Sequence, residues 1–154
     1  MDKLWAPWRR GYILQNPGGK CFICRIRKSS QDAKNLVLKR SRHSFAVLNL
    51  FPYNNGHVMV IPNRHVGALQ KLNDRELLDL MRLTNQMIAR LERVMKPGGM
   101  NLGINFGRIG GAGVPGHLHI HLVPRWSGDT NFMPVIGNTK VISESLKSVY
   151  RRLK

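Results

Sequence analysis

Acidic residues are scarce in this chain. Eight Asp and Glu stand against 25 Lys and Arg in 154 residues, a formal net charge of +17. Four of the eight acids (Asp74, Glu76, Asp79 and Glu92) fall in one segment, so the remainder is more basic still. A field of this sign disfavours cationic partners and draws polyanions: nucleic acid, phosphorylated small molecules or an acidic membrane surface. It is equally the field of a well-solvated basic surface with no dedicated partner. Cysteine is nearly missing too, and two residues in one C-x-x-C exclude a disulfide framework. No apolar run nears the ~18 residues that span a bilayer. The opening MDKLWAPWRR also lacks the charged-then-apolar layout of a signal peptide. The expectation is a cytoplasmic protein without a membrane partner. Repeats, low-complexity blocks and Ser/Gly linkers are absent as well, which favours a single domain over residues 1–154. A chain of this length buries about two-thirds of its unfolded surface, enough for a real core.

What is present reads as alternating strands and helices. Residues 1–20 form an irregular arm ending in the turn Asn16-Pro17-Gly18-Gly19. Cys21–Lys28 begins with a turn and continues as a short helix. Asn35–Arg40 and Ser44–Leu50 are β-rich and make a hairpin around Ser41–His43. The turn Pro52–Gly56 precedes the strand His57–Pro62. In Asp74–Lys96, Leu77, Leu80, Met81, Thr84, Met87, Ile88, Leu91 and Met95 recur at helical spacing. Asn73 or Asp74 caps this helix and Pro97-Gly98-Gly99 stops it. A strand Asn101–Phe106, a loop Gly107–Gly116, a strand Leu118–Pro124 and a terminal helix Ser143–Leu153 complete the chain. The order implies an α+β fold with a mainly antiparallel sheet.

The segment GHLHIHLVPRW holds three of the six histidines at alternate positions. On a strand His117, His119 and His121 share one face, while Leu118, Ile120 and Leu122 enter the core. Three imidazoles as mere packing would each need partners for two ring nitrogens. A metal site, a proton relay, or a nucleophile with helpers are the chemical alternatives. The preceding loop carries five glycines in ten residues. Such a loop lets backbone N–H groups cradle a phosphate, or it is simply a flexible connector. It is neither a Walker loop nor a dinucleotide fingerprint. The pair in KCFICRI supplies half of a tetrahedral zinc site, with His57, His65, His117 and His43 as candidates to complete it. Inert thiols and a redox pair are the competing readings.

These segments together resemble the histidine-triad (HIT) family of nucleotide hydrolases and transferases. HLHIHLVP matches its signature, VLNLFPYNNGHVMVIPNRH its other hallmark segment, and CFIC the pair of its zinc-binding members. The flanks LWAPWR and PRWSGDTNFMPV are similar to the branch of diadenosine tetraphosphate phosphorylases and hydrolases. The resemblance implies a five-stranded antiparallel sheet with a long central helix and a C-terminal helix, in a homodimer. It implies His119 as the nucleophile that attacks the α-phosphorus and forms a nucleotidyl-histidine. His121 and His57 would line the same phosphate site, and Asn49 would bind the ribose hydroxyls. Cys21, Cys24, His65 and His117 would hold a structural zinc ion, with the cysteines in a segment at about residues 20–28. His43 matches no motif position and reads as a surface turn residue.

A neutral imidazole is a good nucleophile near pH 7, and covalent catalysis splits one hard displacement into two easier ones. Backbone N–H groups of the glycine loop, Gly113 among them, can stabilise the equatorial oxygens without a catalytic metal. One departure stands out. Many members carry Gln and Ser or Thr before the triad, whereas GAGVPGH has no polar side chain there. Backbone amides, Asn105 or Arg108 must then supply the contact. Arg64, Arg108 and Arg125 are the local cations that either screen a polyphosphate or simply face solvent. The expected substrate is a dinucleoside polyphosphate, with a nucleoside phosphoramidate as the alternative. A zinc-stabilised nucleotide- or nucleic-acid-binding module without turnover is the alternative of another class. No helix-turn-helix, finger or RNA-recognition signature accompanies the basic charge, so no specific nucleic acid is expected.

Overall fold

A computed structural model describes residues 21–129, 131–137, 139 and 141–154. The arm expected over residues 1–20, with LWAPWR, lies outside the described residues. The elements are α1 (Phe22–Lys28), β1 (Val37–Arg40), β2 (Ser44–Leu48), β3 (Val58–Pro62), α2 (Asp74–Met95), β4 (Gly99–Ile104), β5 (Ile120–Arg125), α3 (Met133–Ile136) and α4 (Leu146–Leu153). The five strands form one sheet in the order β1-β2-β3-β5-β4, and every neighbouring pair is antiparallel. The α+β architecture with a long central helix and a C-terminal helix is therefore present. No helix among the described residues is long and apolar enough to cross a membrane.

Both faces of the sheet are covered, and the sequence shows it in the uninterrupted burial of β2. Ala46 and Leu48 pack with Val58, Val60, Ile120 and Leu122 against Leu80, Leu83, Met87 and Leu91 of α2 and Val149 and Leu153 of α4. Phe45 and Val47 face the other way, into a smaller cluster with Ile23 of α1, Val37 and Ile61. The register Met59↔His121 and Gly103↔His121 puts His121 on this second face, under α1. That face carries the site.

Local sequence explains the ends of the elements. Asn73 accepts from the Glu76 amide at 3.0 Å and Glu76 accepts from the Asn73 amide at 3.0 Å, a complete capping box. Lys96 closes α2 in the left-handed conformation. Gly56 takes φ +72° in the turn before His57, where a Cβ would collide with the Met95 sulfur. Arg40 holds the far end of α1 by donating to the carbonyls of Arg27 (2.9 Å), Ile26 (3.2 Å) and Ser29 (2.8 Å) while pairing with Asp32.

Three sequence expectations need correction. The core stripe of α2 includes Leu83, at 1% exposure, in place of Leu77 and Met81, which stand 39% and 40% exposed. The last strand starts at Ile120, two residues later than expected. An antiparallel ladder continued past Val60↔Ile120 would oppose Leu118 to Pro62, which has no N–H to donate. The Leu118 amide instead donates to the Val66 carbonyl at 2.6 Å. The short helix α3 was not foreseen in PRWSGDTNFMPV.

Candidate functional site

The ladder's early end divides the three histidines among different duties. His117, at a bend, and His119 lie ahead of β5, and only His121 sits in the sheet. The alternation nevertheless persists, with Leu118 buried in the main core. All three imidazoles are buried, as is His57.

His117 turns toward the cysteines. Cys21 caps α1 and Cys24 lies in its first turn, so one short helix presents both thiols on one side. His65, in the loop after β3, approaches from across. Cys21 Sγ is 3.5 Å from His117 Nδ1, Cys24 Sγ is 3.6 Å from the same atom, and Cys24 Sγ is 3.3 Å from His65 Nδ1. A tetrahedral zinc ion with ordinary Zn–S and Zn–N bonds requires S···N separations of about 3.5 Å. All four ligand atoms lie within 4.8 Å of one another. His117 Nε2 is 2.8 Å from the Pro62 carbonyl, to which it donates, leaving Nδ1 as the donor atom for a metal. Burial, and then the neighbouring Cys21, push the Cys24 thiol up in the metal-free chain. A bound cation reverses that preference by favouring thiolates. The donor set and its spacing fit zinc with no open position for water.

The other histidines form a directed chain. The Tyr53 amide donates to His57 Nδ1 at 3.0 Å, and Asn49 Nδ2 lies 3.3 Å from the same nitrogen. His57 Nδ1 is therefore an acceptor, which puts the proton of the neutral ring on Nε2. His57 Nε2 is 2.9 Å from His121 Nδ1. That nitrogen accepts in turn, so His121 carries its proton on Nε2. His119 is set the opposite way. Its Nδ1 is 2.8 Å from the His117 carbonyl, an acceptor only, so Nε2 bears the lone pair. Burial lowers the His119 pKa, against the opposing pull of that carbonyl, and keeps the ring neutral. The rings of His119 and His121 lie 4.8 Å apart, nearly perpendicular. A ring with its lone pair on Nε2 and a ring with its proton on Nε2 are thus neighbours.

Both line a pocket of about 450 Å³ together with Asn49, Tyr53, Gly113 and Val114. Phe22, Ile26, Leu36 and Met59 supply apolar walls, and Arg25 and Lys34 are its cations. Such a pocket suits a base and sugar beside a phosphate. Of the sequence candidates, Asn49 and Gly113 join His119 and His121 in the lining, and His57 stands directly behind them. Asn105 and Arg108 are not among the lining residues. Asn105 Nδ2 donates to the Gly111 carbonyl at 3.4 Å, tying the glycine loop, and Arg108 is exposed on that loop. The other two cations are engaged elsewhere: Arg64 pairs with Glu76 at 2.6 Å and Arg125 with Asp129 at 2.8 Å. Sequence reasoning missed Arg25, Lys34 and Tyr53. The i, i+3, i+4 spacing of Phe22, Arg25 and Ile26 was the available signal for one of them.

Residues 30–128 match the HIT domain family model, and the chain belongs to the HIT family. It is 39% identical over 166 aligned residues to AP-4-A phosphorylase of Mycobacterium tuberculosis, covering 99% of this chain and 83% of that protein. It is also 39% identical over 93 residues to the asymmetrical bis(5'-nucleosyl)-tetraphosphatase of Schizosaccharomyces pombe, covering 60% of this chain and 50% of that one. Among solved structures, a Zn-bound histidine triad family protein from Mycobacterium smegmatis aligns with a TM-score of 0.67 at 27% identity, covering 87% and 90% of the two chains.

Proposed function

We propose that this HIT-family nucleotide hydrolase or phosphorylase cleaves dinucleoside polyphosphates, such as diadenosine tetraphosphate, through a nucleotidyl-histidine on His119. The observation that carries this reading is the hydrogen-bond pattern in one pocket that assigns opposed tautomers to His119 and His121. His119 Nε2 attacks the α-phosphorus, and the bond from phosphorus to the bridging oxygen breaks. The departing oxygen leaves as the polyphosphate anion. His121 Nε2–H donates a hydrogen bond to that oxygen and keeps its proton, and His57 holds His121 in that tautomer. Water or inorganic phosphate then displaces His119 from the same phosphorus.

Asn49 serves the ribose hydroxyls, while the backbone near Gly113 serves the phosphate oxygens. Asn105 acts by holding that loop, and Arg108 screens the leaving polyphosphate outside the pocket. The lining cations Arg25 and Lys34 support a polyphosphate over a less charged phosphoramidate. Zinc on Cys21, Cys24, His65 and His117 is structural in this reading, as a closed site implies. A homodimer is supported by β4, an edge strand with Leu102 51% exposed, and by the exposed Leu77, Leu78 and Met81 on α2. The single HIT domain is read as cytoplasmic, where a reducing medium keeps Cys21 and Cys24 available as ligands.

Product analysis tests the reaction. Cleavage of diadenosine tetraphosphate at an α-phosphorus releases ATP, together with AMP if water is the acceptor or ADP if phosphate is. Symmetrical release of two ADP in the absence of phosphate contradicts the reading.

A further inference from the structure

We propose that the Cys21–Cys24–His65–His117 centre positions the nucleotide pocket, so that metal and nucleotide bind with positive coupling. The proposal rests on the reading of the pocket as a nucleotide site and goes beyond a purely structural metal. Three separate connections run from the centre to the pocket. The first is α1. Four of its seven residues, Phe22, Ile23, Arg25 and Ile26, line the pocket, while Cys21 and Cys24 sit at its start. A helix this short does not hold itself together in water. Its far end is fastened by Arg40 and its middle by the buried Ile23. Among the described residues its start has no side-chain cap and no acidic residue in the first turn. Metal ligation by Cys21 and Cys24 fastens that near end.

The second connection is His117. Its Nδ1 faces the cysteines and its carbonyl accepts from His119 Nδ1, so one residue both joins the metal centre and sets the nucleophile's tautomer. The third is the glycine loop. Gly116 packs so closely on His65 that a Cβ there would lie 3.2 Å from Nε2, and a Cβ on Gly67 would lie 2.6 Å from the Pro115 carbonyl. Gly113 and Val114, just before these residues, contribute a second stretch of the pocket wall. A metal that gathers Cys21, Cys24, His65 and His117 therefore draws both walls and the nucleophile into register. A nucleotide seated between those walls holds the four ligands together in return. Linkage makes the two effects equal in size.

Calorimetric titration of the full chain with AMP tests this, comparing zinc-loaded protein with chelator-treated protein that circular dichroism shows to be folded. AMP is expected to bind at least about fivefold more weakly without the metal, within the usual range of coupling energies. Equal affinity in the two forms overturns the coupling and leaves the nucleotide site standing. A second readout needs no folded metal-free protein. In the cobalt-loaded chain, AMP is expected to shift the thiolate-to-cobalt absorption with a midpoint at its own Kd. Saturation with AMP and an unchanged spectrum overturns the proposal. Zinc-loaded protein that binds no AMP at all overturns the nucleotide-site reading, and the coupling with it.

Discussion

His119 Nδ1 donates to the carbonyl oxygen of His117 at 2.8 Å, and this bond leaves the ring's lone pair on Nε2. The same residue that offers this carbonyl turns its own ring toward Cys21 and Cys24. The proposed nucleophile and a candidate metal ligand thus stand two residues apart in one segment.

The relay from Tyr53 through His57 to His121 predicts a defined protonation pattern. Nitrogen-15 NMR of the neutral rings is expected to show Nε2–H for His57 and His121 and Nδ1–H for His119. Replacing His57 with Phe removes the acceptor for the Tyr53 amide and the donor to His121 together. Its expected cost is about a hundredfold in kcat with a smaller change in KM, as for misplacing a hydrogen-bond donor to the leaving oxygen. An equal loss confined to KM contradicts the relay.

Elemental analysis of untagged protein, purified without added metal, is expected to find one zinc per chain. Cys24→Ser weakens the centre at the ligand that approaches both histidines. It should lose zinc and lower the melting temperature by about 5 °C or more, since a closed tetrahedral site contributes to folding. Unaltered metal content in this variant excludes the ligand set.

Glu76→Gln isolates one charge while keeping an acceptor for the capping box. The hydrogen bond from Arg64 is the main reason the Glu76 carboxyl is held down to about 2 from its ordinary 4.5. A depressed carboxyl stabilises the fold above pH 4.5, and the contribution is lost as pH falls toward 2. Arg64 is nearly half exposed, so screening limits the effect to about 1 kcal/mol at pH 7. Urea denaturation should show the variant less stable at pH 7 and equal to the parent near pH 2. A difference that persists there points to packing and not to charge.

Arg108→Ala is expected to raise KM for diadenosine tetraphosphate several-fold and leave a nucleoside phosphoramidate nearly unchanged. The side chain is exposed on the glycine loop, where it meets only a ligand that extends beyond the pocket. Equal losses for the two substrates mean that it supports the loop and does not screen phosphate.

Much of this was legible in the sequence because period and spacing carried it. The alternation of His117, His119 and His121 with Leu118, Ile120 and Leu122 survives although the ladder covers only part of it, because burial of the leucines fixes the chain's orientation. The cap at Asn73 and the stop after Lys96 follow from local chemistry alone. The fate of individual cations was not legible. Arg64 and Arg125 flank the site in sequence, yet Glu76 and Asp129 claim them, and tertiary pairing has no local signature. The pocket's own cations, Arg25 and Lys34, lie on segments that come together only through the fold. Leu77 and Met81 have the right helical period, but they sit too near the margin of the apolar stripe to reach the core.

Covalent capture is the most direct test of the central claim. The full chain is mixed rapidly with diadenosine tetraphosphate without added phosphate, quenched in base, and digested for mass spectrometry. An acid-labile adenylyl group is expected on the peptide containing His119, formed as fast as ATP appears and absent from His119→Ala. That variant should retain AMP binding and lose at least about a thousandfold in turnover. Rapid ATP release with no adenylyl-protein at any time, or near-parental turnover in His119→Ala, contradicts a nucleophilic His119.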